Sequence, residues 1–218
     1  MNTGMRNIIQ IILNKDKKYI GDLKYYFRII WHSPNILKPY HGLRHILHVM
    51  WDVYNAFLYY EKLGTIIDGR TLRNMLIAAL FHDYNHPGRA GNDKANIKLA
   101  LEGLRAHILP EDEEWFDNIA IYIKATEFPH THDVELFLPE NIMRDADISY
   151  TLTDSWIQLV AFQLNREMNL SPEEMLKGQE PFMRHVLKFS TEWGKEKYAT
   201  KLEDRIEEVR DMIGVLYP

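Results

Sequence analysis

The strongest constraint on this chain is the spacing of its apolar residues, which recur three and four positions apart along nearly its whole length. That is the period of a helix face; no run shows sustained period-two alternation with β-branched enrichment, so the expected fold class is all-α. His41, Leu43, Ile46, Leu47, Met50 and Val53, continuing to Leu58, trace a long helix that starts just after Pro39. Met75 to Phe81 is nearly all apolar and reads as a helix buried on every side, ending before Asn85, Pro87 and Gly88. Pro110 and the acids Glu111 to Glu114 open a further helix running through Ile119, Ile123 and Thr126, with the acids at its positive N-terminus. Phe128-Pro129 closes it. Ser171-Pro172-Glu173-Glu174, and Thr200 with Glu203, each carry the spacing of a capping box.

No internal repeat, low-complexity tract or linker interrupts the pattern. A chain of 218 residues, 46% of them apolar, can bury a substantial core. The expectation is one compact multi-helix domain over 1–218, with about the first 35 residues and the C-terminal helix packed on the core. The net charge of −5 gives no general pull toward duplex nucleic acid or anionic membranes, so neither is an expected partner. Any phosphorylated ligand must be held by a local cluster or by bound cations. The absence of Cys removes disulfides, thiolate nucleophiles and zinc-thiolate sites. The run Ile8 to Leu13, broken by Gln10, is too short to span a membrane and has no cleavage pattern after it; the expected location is cytoplasmic. The oligomeric state is not legible.

Chemistry concentrates in three places. His41 and His45 are four residues apart on one expected helix, about 5–6 Å apart on one face, and His48 lies near that stripe. His82-Asp83 ends the apolar helix and is followed by His86. A carboxylate directly after such a run is costly to bury without a compensating cation or several donors, although alone it reads equally as a solvent-facing helix end. Asp145-Ala146-Asp147 brackets an alanine and alone is a turn or helix-terminus signal. Together, imidazoles and carboxylates from separate helices form the mixed nitrogen and oxygen set suited to Zn, Mn, Fe, Co or Ni, with a mainly oxygen- and water-bound Mg or Mn beside it. Two divalent ions are therefore the expected cofactors.

Read in order, Tyr40-His41-x-x-x-His45, Ala78 to Asp83 followed by His86-Pro87-Gly88, Ala125-Thr126, and Ala146-Asp147-Ile148-Ser149 resemble the HD-domain metal-dependent phosphohydrolases. Within that superfamily they look most like the catalytic domain of cyclic-nucleotide phosphodiesterases, over roughly residues 38–195. The resemblance implies His45, His82, Asp83 and Asp147 as ligands of the first metal, with Asp83 reaching the second. It implies His41 as the general acid, His86 as a histidine near the bridging water, and Thr126 as a contributor to the water shell of the second metal. Gln179-x-x-Phe182, with Trp193 downstream, looks like the family's base-recognition glutamine and purine clamp. Gly42, Asn85 and Tyr150 depart from the phosphodiesterase pattern, Tyr150 standing where an asparagine assists base binding.

The reaction so implied is metal-dependent hydrolysis of a phosphoester, with a nucleotide phosphodiester such as a cyclic nucleotide as the expected small partner. A metal-bridging hydroxide attacks phosphorus and His41 protonates the leaving oxygen. Arg44 or Arg89 would hold phosphate, or serve as surface arginines; Asp93 would orient a metal-bound water, or be a solvated loop acid; His86 would act in the site, or cap the turn before Pro87. Three alternatives stand beside this reading. One is a nucleoside monophosphatase or other small phosphomonoesterase. Another is a di-iron oxygenase, drawing extra ligands from His86, His107, His130 or His132. The last is a non-catalytic nucleotide-binding module.

Overall fold

The computed structural model describes residues 23–89, 91–130 and 135–218, and among them every regular element is helical. Helices α1 (Lys24–Trp31), α2 (Leu43–Lys62), α3 (Gly69–Phe81), α4 (Asp93–His107), α5 (Phe116–Lys124) and α6 (Leu138–Ile148) are followed by a π-helix (Ile157–Leu164) that runs into Asn165–Glu167. Helices α7 (Pro172–His185), α8 (Glu192–Lys197) and α9 (Leu202–Leu216) complete the described chain.

The centre is α3. Its N-terminus is fixed by Asp68, whose carboxylate accepts from the N–H groups of Arg70 and Thr71 at 2.8 and 2.9 Å, satisfying donors that have no intrahelical partner. From Leu72 to Phe81 every residue is buried, and α1, α2, α4, α5 and α6 all pack against it. At about 1.5–3 kcal/mol per fully buried large apolar side chain, this helix anchors the core and holds rigid whatever its C-terminal end carries. That end carries His82 and Asp83. The C-terminal helix α9 packs on α7, and the Ser171 capping box forms as expected, with Glu174 N to Ser171 Oγ at 3.2 Å and Ser171 N to Glu174 Oε2 at 2.8 Å.

Three sequence expectations are corrected. Helix α2 begins at Leu43, so His41 lies in the turn before it rather than on its face. The reason is steric: Gly42, the N-cap, sits so close to the preceding turn that a Cβ there would meet Lys38 O at 2.5 Å. The segment from Pro110 is a 3-10 turn, Pro110–Trp115, before α5 starts. Within it Asp112 is fully buried, accepting from Tyr26 Oη and from the guanidinium groups of Arg70 and Arg73; it is an interior ion-pair acceptor rather than a helix-terminal charge. Thr200 forms no capping box. It lies in a 3-10 turn, Ala199–Lys201, with its hydroxyl on Glu196 O.

Candidate metal and phosphoester site

Four side chains from three elements converge. His45 comes from the second residue pair of α2, His82 and Asp83 from the end of α3, and Asp147 from the last turn of α6. His45 Nε2 stands 2.9 Å from Asp147 Oδ1, 3.2 Å from His82 Nε2 and 3.3 Å from Asp83 Oδ2. His82 Nε2 stands 3.1 Å from Asp83 Oδ2 and 3.4 Å from Asp147 Oδ1. Donor atoms at about 2.0–2.2 Å from one metal ion in tetrahedral or octahedral geometry lie about 2.8–3.6 Å from each other, so this spacing fits a shared divalent cation. Asp83 Oδ2 is buried and has no hydrogen bond, which supports the fit, because a carboxylate oxygen in that setting is costly to leave uncompensated. His82 Nδ1 lies 2.8 Å from Ala79 O. That contact fixes the proton on Nδ1 and turns the Nε2 lone pair toward the cluster.

Without a cation, protons take part of its electrostatic role. Burial disfavours a charged His82, yet Asp83 and Asp147 outweigh it and raise the imidazole well above its usual value. Burial likewise raises Asp83, but His82, His41 and His45 together hold it well below the ordinary carboxylate range; Asp147 is depressed by His45 and His82 in the same way.

A buried asparagine links the two loops that bear these groups. Asn35 Nδ2 donates to His41 O at 2.9 Å and Asp83 O at 2.6 Å, while its Oδ1 accepts from Asn85 N at 2.7 Å. His41 Nδ1 is 2.5 Å from Glu167 Oε2, and Glu167 Oε1 accepts from Tyr40 N at 2.6 Å and His41 N at 3.2 Å. Burial lowers His41, but Asp83 and then Glu167 more than compensate, so its pKa is raised. Sequence reading gave Glu167 no role. The available signal was its position on the stripe Val160, Leu164, Glu167, all three lining the same cavity, where an acid interrupts an apolar face.

The cavity holds about 480 Å³, within the range of small-ligand pockets. The four clustered residues, His41, His86, Arg89, Asp93, Thr126, Gln179 and Phe182 all line it. Thr126 is buried with its hydroxyl on Ile123 O at 2.8 Å. Phe182 faces Phe128 with ring centroids 6.2 Å apart. Gln179 Nε2 is held by Met175 O and Sδ, both at 3.3 Å, and its Oε1 is buried without a hydrogen bond.

Three residues lie elsewhere. Arg44 is exposed and outside the cavity lining, because a neighbour of His45 on a helix projects about 100° away. Tyr150 packs against His48 with ring centroids 4.1 Å apart and planes tilted by 46°, and gives its hydroxyl to Arg44 O, so it does not stand in for a base-reading asparagine. Trp193 packs on Tyr198 and is not part of this cavity.

Of the histidines expected for a di-iron site, His86 stacks on His41 with centroids 3.7 Å apart and planes 26° apart. His41, His86 and Glu167 each bring one potential ligand atom within 4.8 Å of the other two. His107 faces Tyr84 Oη and His130 faces Phe128, neither lining the cavity. His132 is outside the described residues.

Comparison with solved structures gives the architecture a precedent. LmjPDEB1 in complex with IBMX aligns with a TM-score of 0.65 at 13% identity, covering 97% of this chain and 87% of that one. The phosphodiesterase domain of the Salpingoeca rosetta rhodopsin phosphodiesterase aligns with a TM-score of 0.66 at 17% identity, covering 98% and 86%. The chain has a phosphodiesterase-domain fold. No family sequence model and no curated protein matches it, so at these identities the phosphodiesterase likeness is one of fold. Among the described residues no helix is long and apolar enough to cross a membrane.

Proposed function

We propose that this protein is a metal-dependent phosphohydrolase acting on a nucleotide phosphodiester, a cyclic nucleotide being the substrate of choice. The observation that carries the reading is the convergence of His45, His82, Asp83 and Asp147 within 3.4 Å contacts beside a histidine already paired to a buried glutamate. The phosphodiesterase-domain fold supports the same class of chemistry.

Bound there, a divalent pair would supply a hydroxide nucleophile near neutral pH and Lewis-acid stabilisation of the phosphate oxygens. The chain does the rest. His45, His82, Asp83 and Asp147 would hold the first ion, of the Zn, Mn, Fe, Co or Ni group, and Asp83 would also serve a second, Mg or Mn, with Thr126 contributing to its water shell. Glu167 fixes His41 through Nδ1, so that Nε2 of the imidazolium faces the cavity and gives its proton to the departing ester oxygen, a role worth about 10²–10⁴ in rate. Arg89, exposed at the cavity rim, offers a cation to the phosphate. Phe182 and Phe128 wall a slot for the base, and the unpartnered Gln179 Oε1 accepts from its edge. IBMX in the LmjPDEB1 structure supports a small purine-like ligand in a cavity of this kind.

The deciding experiment incubates the Mn-loaded protein with cyclic nucleotides, nucleoside monophosphates and oligonucleotides and reads products by mass spectrometry. Hydrolysis of a cyclic nucleotide to its monophosphate is the expected result. Phosphate release from monophosphates alone would move the protein to the phosphomonoesterases. Oxygen consumption with iron, and no hydrolysis, would make it an oxygenase; binding with no turnover on the whole panel would leave a nucleotide-binding module.

A further inference from the structure

His86 lies between the backbone N–H of Gly88 and the side-chain amide of Asn96. Gly88 N–H donates to Nδ1 at 3.0 Å, and Asn96 Nδ2 stands 3.0 Å from Nε2. A neutral imidazole has one acceptor nitrogen and one N–H, so it cannot accept both. The backbone N–H of Gly88 has no alternative polarity, which leaves Nδ1 unprotonated and the ring neutral with its proton on Nε2. A side-chain amide, by contrast, can present either end. Asn96 must therefore turn its carbonyl oxygen toward His86 Nε2–H. The atom that makes this contact also stands 3.0 Å from Asp93 Oδ1. Two acceptor oxygens at that distance repel unless one carries a proton, and only a carboxyl group has one to give.

We infer that Asp93 is a neutral carboxylic acid in the folded protein, donating through Oδ1 to the Asn96 carbonyl, which in turn accepts from His86 Nε2–H. The opposite oxygen, Asp93 Oδ2, accepts Phe128 N–H at 2.5 Å, a bond open to either form of the carboxyl group. The contacts along the array then pair donor with acceptor: Phe128 N–H to Asp93, Asp93 O–H to Asn96, His86 N–H to Asn96, Gly88 N–H to His86. His86 and Asn96 are both buried, where such matching matters most. Burial also pushes the Asp93 carboxyl upward, against the Phe128 N–H that opposes it.

The array keeps His86 a neutral platform under His41, with the two rings stacked. An imidazolium at His41 then has no second imidazolium against its face. Asp93 and Asn96 are thus positioning residues, acting through His86, and Asp93 ties the same array to Phe128 at the cavity wall. The proton assignment stands without the reaction proposed above; only its consequence for His41 rests on that reading.

The test is heteronuclear NMR on the full chain, labelled in histidine and aspartate and prepared with Zn and Mg, which are diamagnetic. His86 is assigned through its backbone, so the wild-type spectrum suffices. The expected result at pH 7 is an unprotonated Nδ1 and a protonated Nε2 on His86, together with a protonated Asp93 carboxyl that disappears from the Asp93→Asn spectrum. Asp93→Asn, in which an amide N–H replaces the acid O–H, keeps the His86 tautomer. A proton on His86 Nδ1, or an ionised Asp93 at pH 7, would overturn the inference, and neither outcome bears on whether the protein hydrolyses phosphoesters.

Discussion

Asp112 and Asp83 are both buried carboxylates next to the central helix α3, and their surroundings differ in kind. Asp112 is neutralised from within: Tyr26 Oη donates at 2.8 Å, Arg73 at 2.9 and 2.7 Å, and Arg70 at 2.6 Å. Although burial raises it, the guanidinium of Arg73 and the phenol of Tyr26 hold its pKa below the usual value. Asp83 has imidazoles for neighbours and an oxygen with no hydrogen bond. One carboxylate has its hydrogen bonds supplied by its own chain, and the other keeps a buried oxygen to which the chain gives none. Burial of an acid therefore says little about function until its compensating charges are counted.

The largest effects should come from removing a member of the open cluster. Asp147→Ala or His45→Ala is expected to abolish divalent metal binding, read by calorimetry, and to drop turnover to background, with the fold retained. Metal affinity surviving in either variant would break the contrast, since the cluster would then not be the cation site. His41→Ala should leave metal content unchanged and lower kcat by about 10²–10⁴; normal turnover removes the His41 and Glu167 pair from the reaction. In the closed site the expectation reverses. Asp112→Ala strips Arg73 of its buried carboxylate and should cost about 3–5 kcal/mol of stability in denaturant melts, while metal affinity per folded molecule stays constant.

The same contrast has a pH signature. In the metal-free protein His82 has a raised pKa, so its stabilising contribution is complete below the unfolded value of about 6.5 and is lost as pH rises through the folded value. Asp83 and Asp147 are depressed; their contribution is complete above about 3.9 and is lost as pH falls. Metal-free stability should thus plateau between those limits and decline on the alkaline side. Added Zn or Mn should remove the alkaline decline and add about 2.7 kcal/mol at a hundredfold excess over Kd. Metal affinity should rise with pH, since binding displaces the His82 proton. An affinity independent of pH from 5 to 8 would contradict the idea that protons take the cation's electrostatic role.

How much of this was legible beforehand follows from the range of each interaction. Helices α3 and α7 were readable because burial periodicity and a local capping box are encoded within a few residues of each other. The starts of α2 and α5 were not: Gly42 is placed by close approach to Lys38 O, and Asp112 is drawn inward by arginines some forty positions earlier, neither of which is a local signal. The four clustered side chains were reachable as motif positions. Glu167 and Asn35 were missed for a common reason, since each acts on groups far away in sequence and neither sits in a pattern that marks it. Of the two readings open for Arg44, the surface one agrees with its exposure, because proximity in sequence to His45 is not proximity on a helix.

The smallest expected effect tests whether the contrast extends from charge to neutral groups. Buried side-chain atoms of His45, Asp83 and Gln179, all residues lining the cavity, have no hydrogen bond. If an unpartnered atom facing the cavity awaits a ligand, Gln179 Oε1 should accept from a base edge, and its loss should cost one hydrogen bond, about 0.5–1.5 kcal/mol. Gln179→Ala should then reduce kcat/KM for a purine cyclic nucleotide up to about tenfold, against little change for an aryl phosphodiester that has no base edge. Gln179→Glu keeps the acceptor and the volume but loses the Nε2 contact to Met175 O, so it should fall between wild type and alanine. Equal losses on both substrates would mean that Gln179 shapes the wall rather than reads the base, and the unpartnered oxygen would then be a packing cost like those of Asn74 and Asn165, outside the cavity.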